Sequence, residues 1–178
     1  MILTHYFPLT ISNPEIVTTS ITEYSEEEQQ SIAAQLSHYS GRALRRFDQF
    51  SKYISKRHET ENWLYSTFLE AGGQPVSIYP FYFVVGENQQ LKYDFGTNVK
   101  TIKLDTNLIN PIHISFTLGD SMGIYSSSAP NKIYLLNELE DMILNSELIY
   151  QQMKPLNPYH RYIEAQLWDK LYLNNATI

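Results

Sequence analysis

Three groups of residues in this chain have the types and spacing that chemistry needs. Gly119-Asp120-Ser121-Met122-Gly123 has the form G-x-S-x-G and follows an apolar run, ISFTL. A serine so placed acts as a nucleophile when a helix begins directly after it and lends its first backbone N–H groups to an oxyanion. The residues that follow, IYSSS, carry no helical pattern, and Asn157 precedes Pro158-Tyr159-His160 where an acid would be needed to orient the histidine. A tight turn built from Gly, Asp and Ser is the ordinary alternative. The second group is the run from Arg42 to Arg57, which holds six basic residues, among them Arg42, Arg45 and Arg46, on the side of a helical wheel opposite Leu44, Phe47, Phe50 and Ile54. Such a face is either solvated and balanced by Asp48, Glu59 and Glu61, or the docking surface for an anionic ligand or partner. The five histidines are scattered, and His58, Glu59 and Glu61 do not converge on one ion from a helix, so no metal site is expected.

The third group is distributed along the chain: His5-Tyr6 early, Tyr82 within YPFYFVV, Phe116-Thr117 before the GDS turn, and Glu164 within YIEAQLW. In that order they resemble the layout of ADP-ribosyltransferase domains, most closely those of the DNA-targeting toxins. That family has a histidine or arginine on an early strand, a P-F-Y-F segment after a helical insertion, an F-T-D turn and a glutamate on a late strand. The resemblance spans about half the chain. Two departures stand out: Phe7 occupies the place of a hydroxyl residue, and Leu118-Gly119 separates Thr117 from Asp120. The resemblance implies that His5 contacts the nicotinamide ribose, that Tyr82 stacks near the nicotinamide and that Glu164 is the catalytic acid or base. It also implies NAD as the molecule consumed. Cleaving the glycosidic bond of NAD creates an oxocarbenium-like centre, which one carboxylate can stabilise while it activates the acceptor. The ordinary alternatives are a core aromatic at Tyr82, a satisfied strand histidine at His5 and an exposed carboxylate at Glu164. Tyr79, Thr117, Asp120 and Ser121 join the three arginines as candidate ligand contacts.

Positioning these groups requires a sheet, and its expected centre is Tyr79–Val85. Gly72, Gly73 and Pro75 end the helical region before it, and the run is apolar, aromatic and β-branched throughout, which suits a strand covered on both faces. Met1–Phe7 and Glu15–Ile21 are expected as extended segments around the Asn13-Pro14 turn signal. Ser25 and Glu28 form a capping box that opens a helix to about Tyr39, ended by Gly41, with Ile32 and Leu36 on its apolar stripe. The amphipathic pattern from Arg42 resumes through Trp63, Leu64, Phe68 and Leu69, as a second helix or one long bent one, with Arg57 and Glu61 at pairing distance. Val99–Leu104 and Ile112–Leu118 alternate as strands with one buried face, and Met122–Tyr125 could pair back on the latter. Asn137 with Glu140 marks another helix start. Tyr162–Trp168 fits both periods. Asn157-Pro158 and the spacing of Ile163, Leu167 and Leu171 suit a helix, while Ile163, Ala165 and Leu167 alternate as in a strand, which is the reading taken.

The expected fold is therefore α+β in a single domain, with helices of the N-terminal half packed on a mainly antiparallel sheet of the C-terminal half. A formal net charge of −6 argues against wholesale binding to nucleic acid or a membrane surface, and the absence of cysteine removes thiolate chemistry and disulfides. No apolar run is long enough to span a bilayer, and MILTHYFPLT has neither the basic nor the apolar region of a signal peptide, so a cytoplasmic location is expected. Three functions follow in order: a partner- or anionic-ligand-binding module with no resident cofactor, which could form a homo-oligomer; an NAD-consuming transferase; and a GDS-type serine hydrolase.

Overall fold

A computed structural model of the chain describes residues 1–8, 19–38, 41–96, 98–127 and 131–177. Five strands form one antiparallel sheet in the order β3-β1-β2-β5-β4. They are β1 (Ile2–Pro8), β2 (Phe81–Val85), β3 (Val99–Asp105), β4 (Ile114–Leu118) and β5 (Ile163–Leu167). The aromatic run is the middle strand, as its two-sided apolar character requires. It begins at Phe81, so Pro80, which has no N–H to offer a ladder, stands just outside the pairing, and Tyr79 lies before it. The 162–168 segment is a strand, paired on both sides.

The register sorts the sheet into two unlike faces, because residues directly opposite one another project to the same side. Thr4, Val84, Glu164 and Thr117 form one row across four strands, and Tyr82, Gln166 and Ser115 form the next. The opposite face carries Leu3, Phe83, Ala165 and Phe116 and is the main apolar core. Two helices of the C-terminal half cover that face, α5 (Leu136–Ile143) and α6 (Ser146–Met153), through Leu136, Leu139 and Ile149.

The polar rows lie beneath α2 (Phe50–Glu70), whose Leu64 and Phe68 pack on Trp168, the Phe68 and Trp168 rings stacking at 5.3 Å. Before it come α1 (Glu26–Ser37), opened by the Ser25–Glu28 capping box, and a 3₁₀ segment, Arg42–Gln49. Ile32, Leu36, Leu44 and Phe47 join these two as a separate apolar cluster. Two further short helices are α3 (Gln89–Asp94) and α4 (Ser121–Tyr125). No helix among the described residues is long and apolar enough to cross a membrane.

The α+β class is as expected, and several local expectations are corrected. The segment expected as extended at Met1–Phe7 is β1, and the helix expected near Asn137 is α5. β4 is buried on both faces rather than one, because Ser115 and Thr117 are bonded within the polar layer and Tyr134 bridges Phe116 at the sheet edge. Met122–Tyr125 is helical and does not pair back. The start of α5 is Leu136, with Glu138 Oε2 accepting the Leu135 N–H at 2.8 Å, so the expected cap at Asn137 falls inside the helix. Ile21–Glu23 is a 3₁₀ turn, whereas Asn13-Pro14, residues 15–18 and Tyr39 lie outside the described residues.

Gly119 carries a positive φ of 129° between β4 and α4, and a Cβ there would stand 2.4 Å from Leu156 Cδ1 and 3.0 Å from His160 O. Only glycine accepts that conformation without strain. The substitution Gly119→Ala is expected to lower stability by roughly 1–3 kcal/mol, read from the chemical-denaturation midpoint; an unchanged midpoint would contradict this close packing.

Candidate functional site

The cavity that matters opens where two strands part. β1 stays paired with β3 along its whole length but with β2 only at Leu3–Val85 and Thr4–Val84. Beyond that point the His5 imidazole occupies the divergence, packed 4.6 Å from the Phe81 ring, with Nδ1 2.9 Å from the Tyr82 carbonyl oxygen. A carbonyl only accepts, so Nδ1 carries the proton and Nε2 is the acceptor. Burial lowers His5 to about 4 and keeps it neutral at ordinary pH.

Between this parting, the polar rows of the sheet and the N-terminal helices lies a cavity of about 540 Å³, a size typical of small-molecule sites. Its sheet side presents Thr4, Tyr6, Tyr82, Val84 and Glu164, and its helical side presents Arg42, Arg46, Tyr53 and Arg57. Asp120, Tyr159, His160 and Tyr162 close one end.

Glu164 is a buried acid of this cleft. Its Oε1 accepts the Ser121 N–H at 3.3 Å and the Gln166 amide at 3.1 Å. Burial and the charge of Asp120 outweigh those bonds and the nearby Arg57, raising its pKa to about 7. Asp120, the N-cap of α4, behaves oppositely. Burial works against its charge, but His160, the Gly123 N–H at 2.7 Å and the Tyr162 hydroxyl at 2.9 Å bring it down to about 2. The same ion pair, 3.7 Å between His160 Nδ1 and Asp120 Oδ1, raises His160. Two carboxylates close in space are thus held in different protonation regimes.

Arg46 reaches the helical side because of how its segment winds. The 3₁₀ segment has three residues per turn, so Ala43 and Arg46 share an edge beside the buried Leu44–Phe47 edge. Arg46 lies 5.5 Å from the centroids of both Phe47 and Tyr53, with its Nε buried and unpartnered. Arg42 donates to Asp94 at 2.8 Å and lies 3.7 Å over the Tyr159 ring. Arg57 is largely enclosed, its side chain 11% exposed, rather than solvated as the wheel suggested. Its Nε donates to Glu61 at 2.8 Å and its guanidinium covers the Tyr82 ring at 3.7 Å.

Of the residues singled out in the sequence, the fold brings His5, Tyr82, Glu164, Arg42, Arg46 and Asp120 to this cleft. Arg45 projects into solvent, and Tyr79 packs instead near the His58 ring at 5.8 Å. Thr117 and Ser121 are fully buried beneath the cleft wall. Thr117 donates to Gly119 O and accepts from Gln166, and Ser121 contributes its N–H to Glu164. A helix does follow Ser121, contrary to the sequence reading, because Asp120 caps it; the Ser121 hydroxyl is nonetheless buried and absent from the cleft wall. Arg57 and Glu61 escaped notice as site residues. The signal was their phase: positions 57, 61, 64 and 68 form one helical stripe with the buried Leu64 and Phe68.

Comparison of the chain with protein-family models, with curated proteins and with solved structures finds no match.

A carboxyl whose pKa rises from 4.5 to about 7 binds its proton more tightly folded than unfolded. The stability it lends is complete below pH 4.5 and is lost as pH climbs to 7. Relative to wild type, Glu164→Gln should be neutral near pH 4 and gain on the order of 2–3 kcal/mol by pH 8. Denaturation midpoints across that range check it, and a pH-independent difference would contradict the assignment.

Proposed function

We propose that the cleft binds NAD and that the protein is an NAD-consuming transferase of the ADP-ribosyltransferase type, with Glu164 as its catalytic carboxylate. The observation that carries this reading concerns unsatisfied groups. Among the described residues, the buried side-chain polar atoms without a hydrogen-bond partner are Thr4 Oγ1, Arg46 Nε, Glu61 Oε2 and Ser121 Oγ. Thr4 and Arg46 line the cleft, Glu61 holds a residue that does, and Ser121 holds Glu164. Folded chains leave few such atoms, and the two on the cleft wall, Thr4 Oγ1 and Arg46 Nε, are groups a ligand there could bond.

The ligand class follows from the wall. Arg42 and Arg46 suit a diphosphate, for which a planar guanidinium is the better partner. Tyr82, its ring held on one side by Arg57, offers an aromatic surface for a heterocycle. The anionic-ligand role drawn from the basic run is contained in this reading, carried by two of its three arginines, Arg42 and Arg46.

The reaction would proceed at C1′ of the ribose that bears nicotinamide. The bond from C1′ to the ring nitrogen breaks, its electron pair passes to that nitrogen, and neutral nicotinamide leaves. Ionised Glu164 stabilises the oxocarbenium-like carbon and takes the proton from the acceptor hydroxyl or water that attacks it. A carboxyl titrating near 7 is matched to that proton transfer at neutral pH.

Incubation of the purified chain with NAD is expected to release nicotinamide, measured by chromatography, and calorimetry should detect saturable binding. Glu164→Gln should keep the binding and lose turnover by about 10²–10⁴-fold, whereas Arg46→Ala should weaken binding by about 10–100-fold. Absence of both binding and nicotinamide release at millimolar NAD would overturn the proposal.

A further inference from the structure

Behind the cleft wall lies a residue that touches none of the space a ligand would fill. Glu61, on α2, is fully buried, and its Oε1 accepts from Arg57 Nε at 2.8 Å and from the Tyr82 hydroxyl at 3.1 Å. Ser20 Oγ approaches the same oxygen at 3.5 Å. Its two main partners are themselves stacked, the Arg57 guanidinium 3.7 Å over the Tyr82 ring, and both line the cleft. One carboxylate therefore grips two wall residues that also grip each other.

Stability alone does not explain such an arrangement. Removing a guanidinium and a carboxylate from water costs about as much as their attraction returns, and apolar replacements of similar volume are often neutral or stabilising. What the pair does is fix a geometry and a charge. Glu164 is faced by Asp120 and the Ser121 N–H from the start of α4, by Gln166 and Tyr162 from its own side of the sheet, by Tyr82 from β2 and by Arg57 from α2. Arg57 is the cation of that set.

We propose that Glu61 is a positioning residue, which fixes the plane of Tyr82 and balances the Arg57 guanidinium that faces Glu164. Its consequence for catalysis rests on the transferase reading above; its effect on Glu164 does not.

The two effects separate by experiment. In the full chain labelled with δ-¹³C glutamate, the Glu164 carboxyl signal is assigned by its loss in Glu164→Gln, and its midpoint is followed with pH. Glu61→Gln keeps the size and an acceptor for Tyr82 and Arg57 but leaves the guanidinium unbalanced, so the Glu164 midpoint should fall by about one pH unit. Replacing both members, Arg57→Gln with Glu61→Gln, removes the nearer cation as well and leaves no lone buried charge to oppose folding, so the midpoint should rise above that of wild type. A purely structural Glu61 would not give shifts of opposite sign, and a midpoint unmoved in either folded variant would overturn the inference. The acidic limb of nicotinamide release should follow the same order. If wild type releases none while the midpoints shift as stated, the transferase reading fails and the role of Glu61 stands.

Discussion

A guanidinium largely enclosed against the polar face of a β-sheet constrains everything around it. Arg57 cannot be left alone there, since an unpaired buried charge costs far more than the pair it breaks. Glu61, four residues on and fully enclosed, answers it within the same helix, and Tyr82 and Glu164 answer it from the sheet. This sets how α2 lies on the sheet. Its buried stripe continues through Leu64 and Phe68 onto Trp168, so one helix face changes from ionic to apolar along its length. The apolar end anchors the helix, and the ionic end shapes a cleft.

The sheet answers with its own asymmetry. On one side Leu3, Phe83, Ala165 and Phe116 make a continuous apolar layer, and on the other Thr117, Ser115, Gln166 and the Trp168 indole N–H bond one another beneath Glu164. A buried polar layer is tolerable only when nearly every member is satisfied. Thr4, whose hydroxyl is left unsatisfied, stands at the parting of β1 and β2, where His5 takes the carbonyl of Tyr82 that a longer ladder would have used. Register and strand divergence, more than any single motif, thus decide where the cleft lies.

Much of this was legible in the chain. The aromatic run around Tyr82 had to be an interior strand because both of its faces are apolar, and Ser25 with Glu28 could only open a helix. The dispersed set His5, Tyr82 and Glu164 was found through a resemblance of spacing, and the fold brings all three to one cavity. What was not legible depends on winding and phase. The basic run was placed on a wheel of 3.6 residues per turn, but its first half winds as a 3₁₀ helix, which turns Arg46 inward and leaves Arg45 outside. Arg57 and Glu61 matched the pattern of a surface pair, and only their phase with Leu64 and Phe68 separates a buried pair from an exposed one. Asp120 hid a helix start within residues that otherwise form a turn, because one capping carboxylate outweighs the weak helical preference of the residues after it.

On this reading the polar face of the sheet is a ligand cleft and not a sealed layer. Amide chemical-shift mapping of the isotopically labelled full chain during an NAD titration distinguishes the two. The result expected is a single saturable transition, with the largest shifts at Tyr6, Tyr82, Val84, Glu164 and Arg46 and little change at Leu139 and Ile149 beyond the opposite face. Shifts that never saturate, or that gather on the outer residues Arg45 and Lys52 while Tyr82 and Glu164 stay fixed, would contradict it.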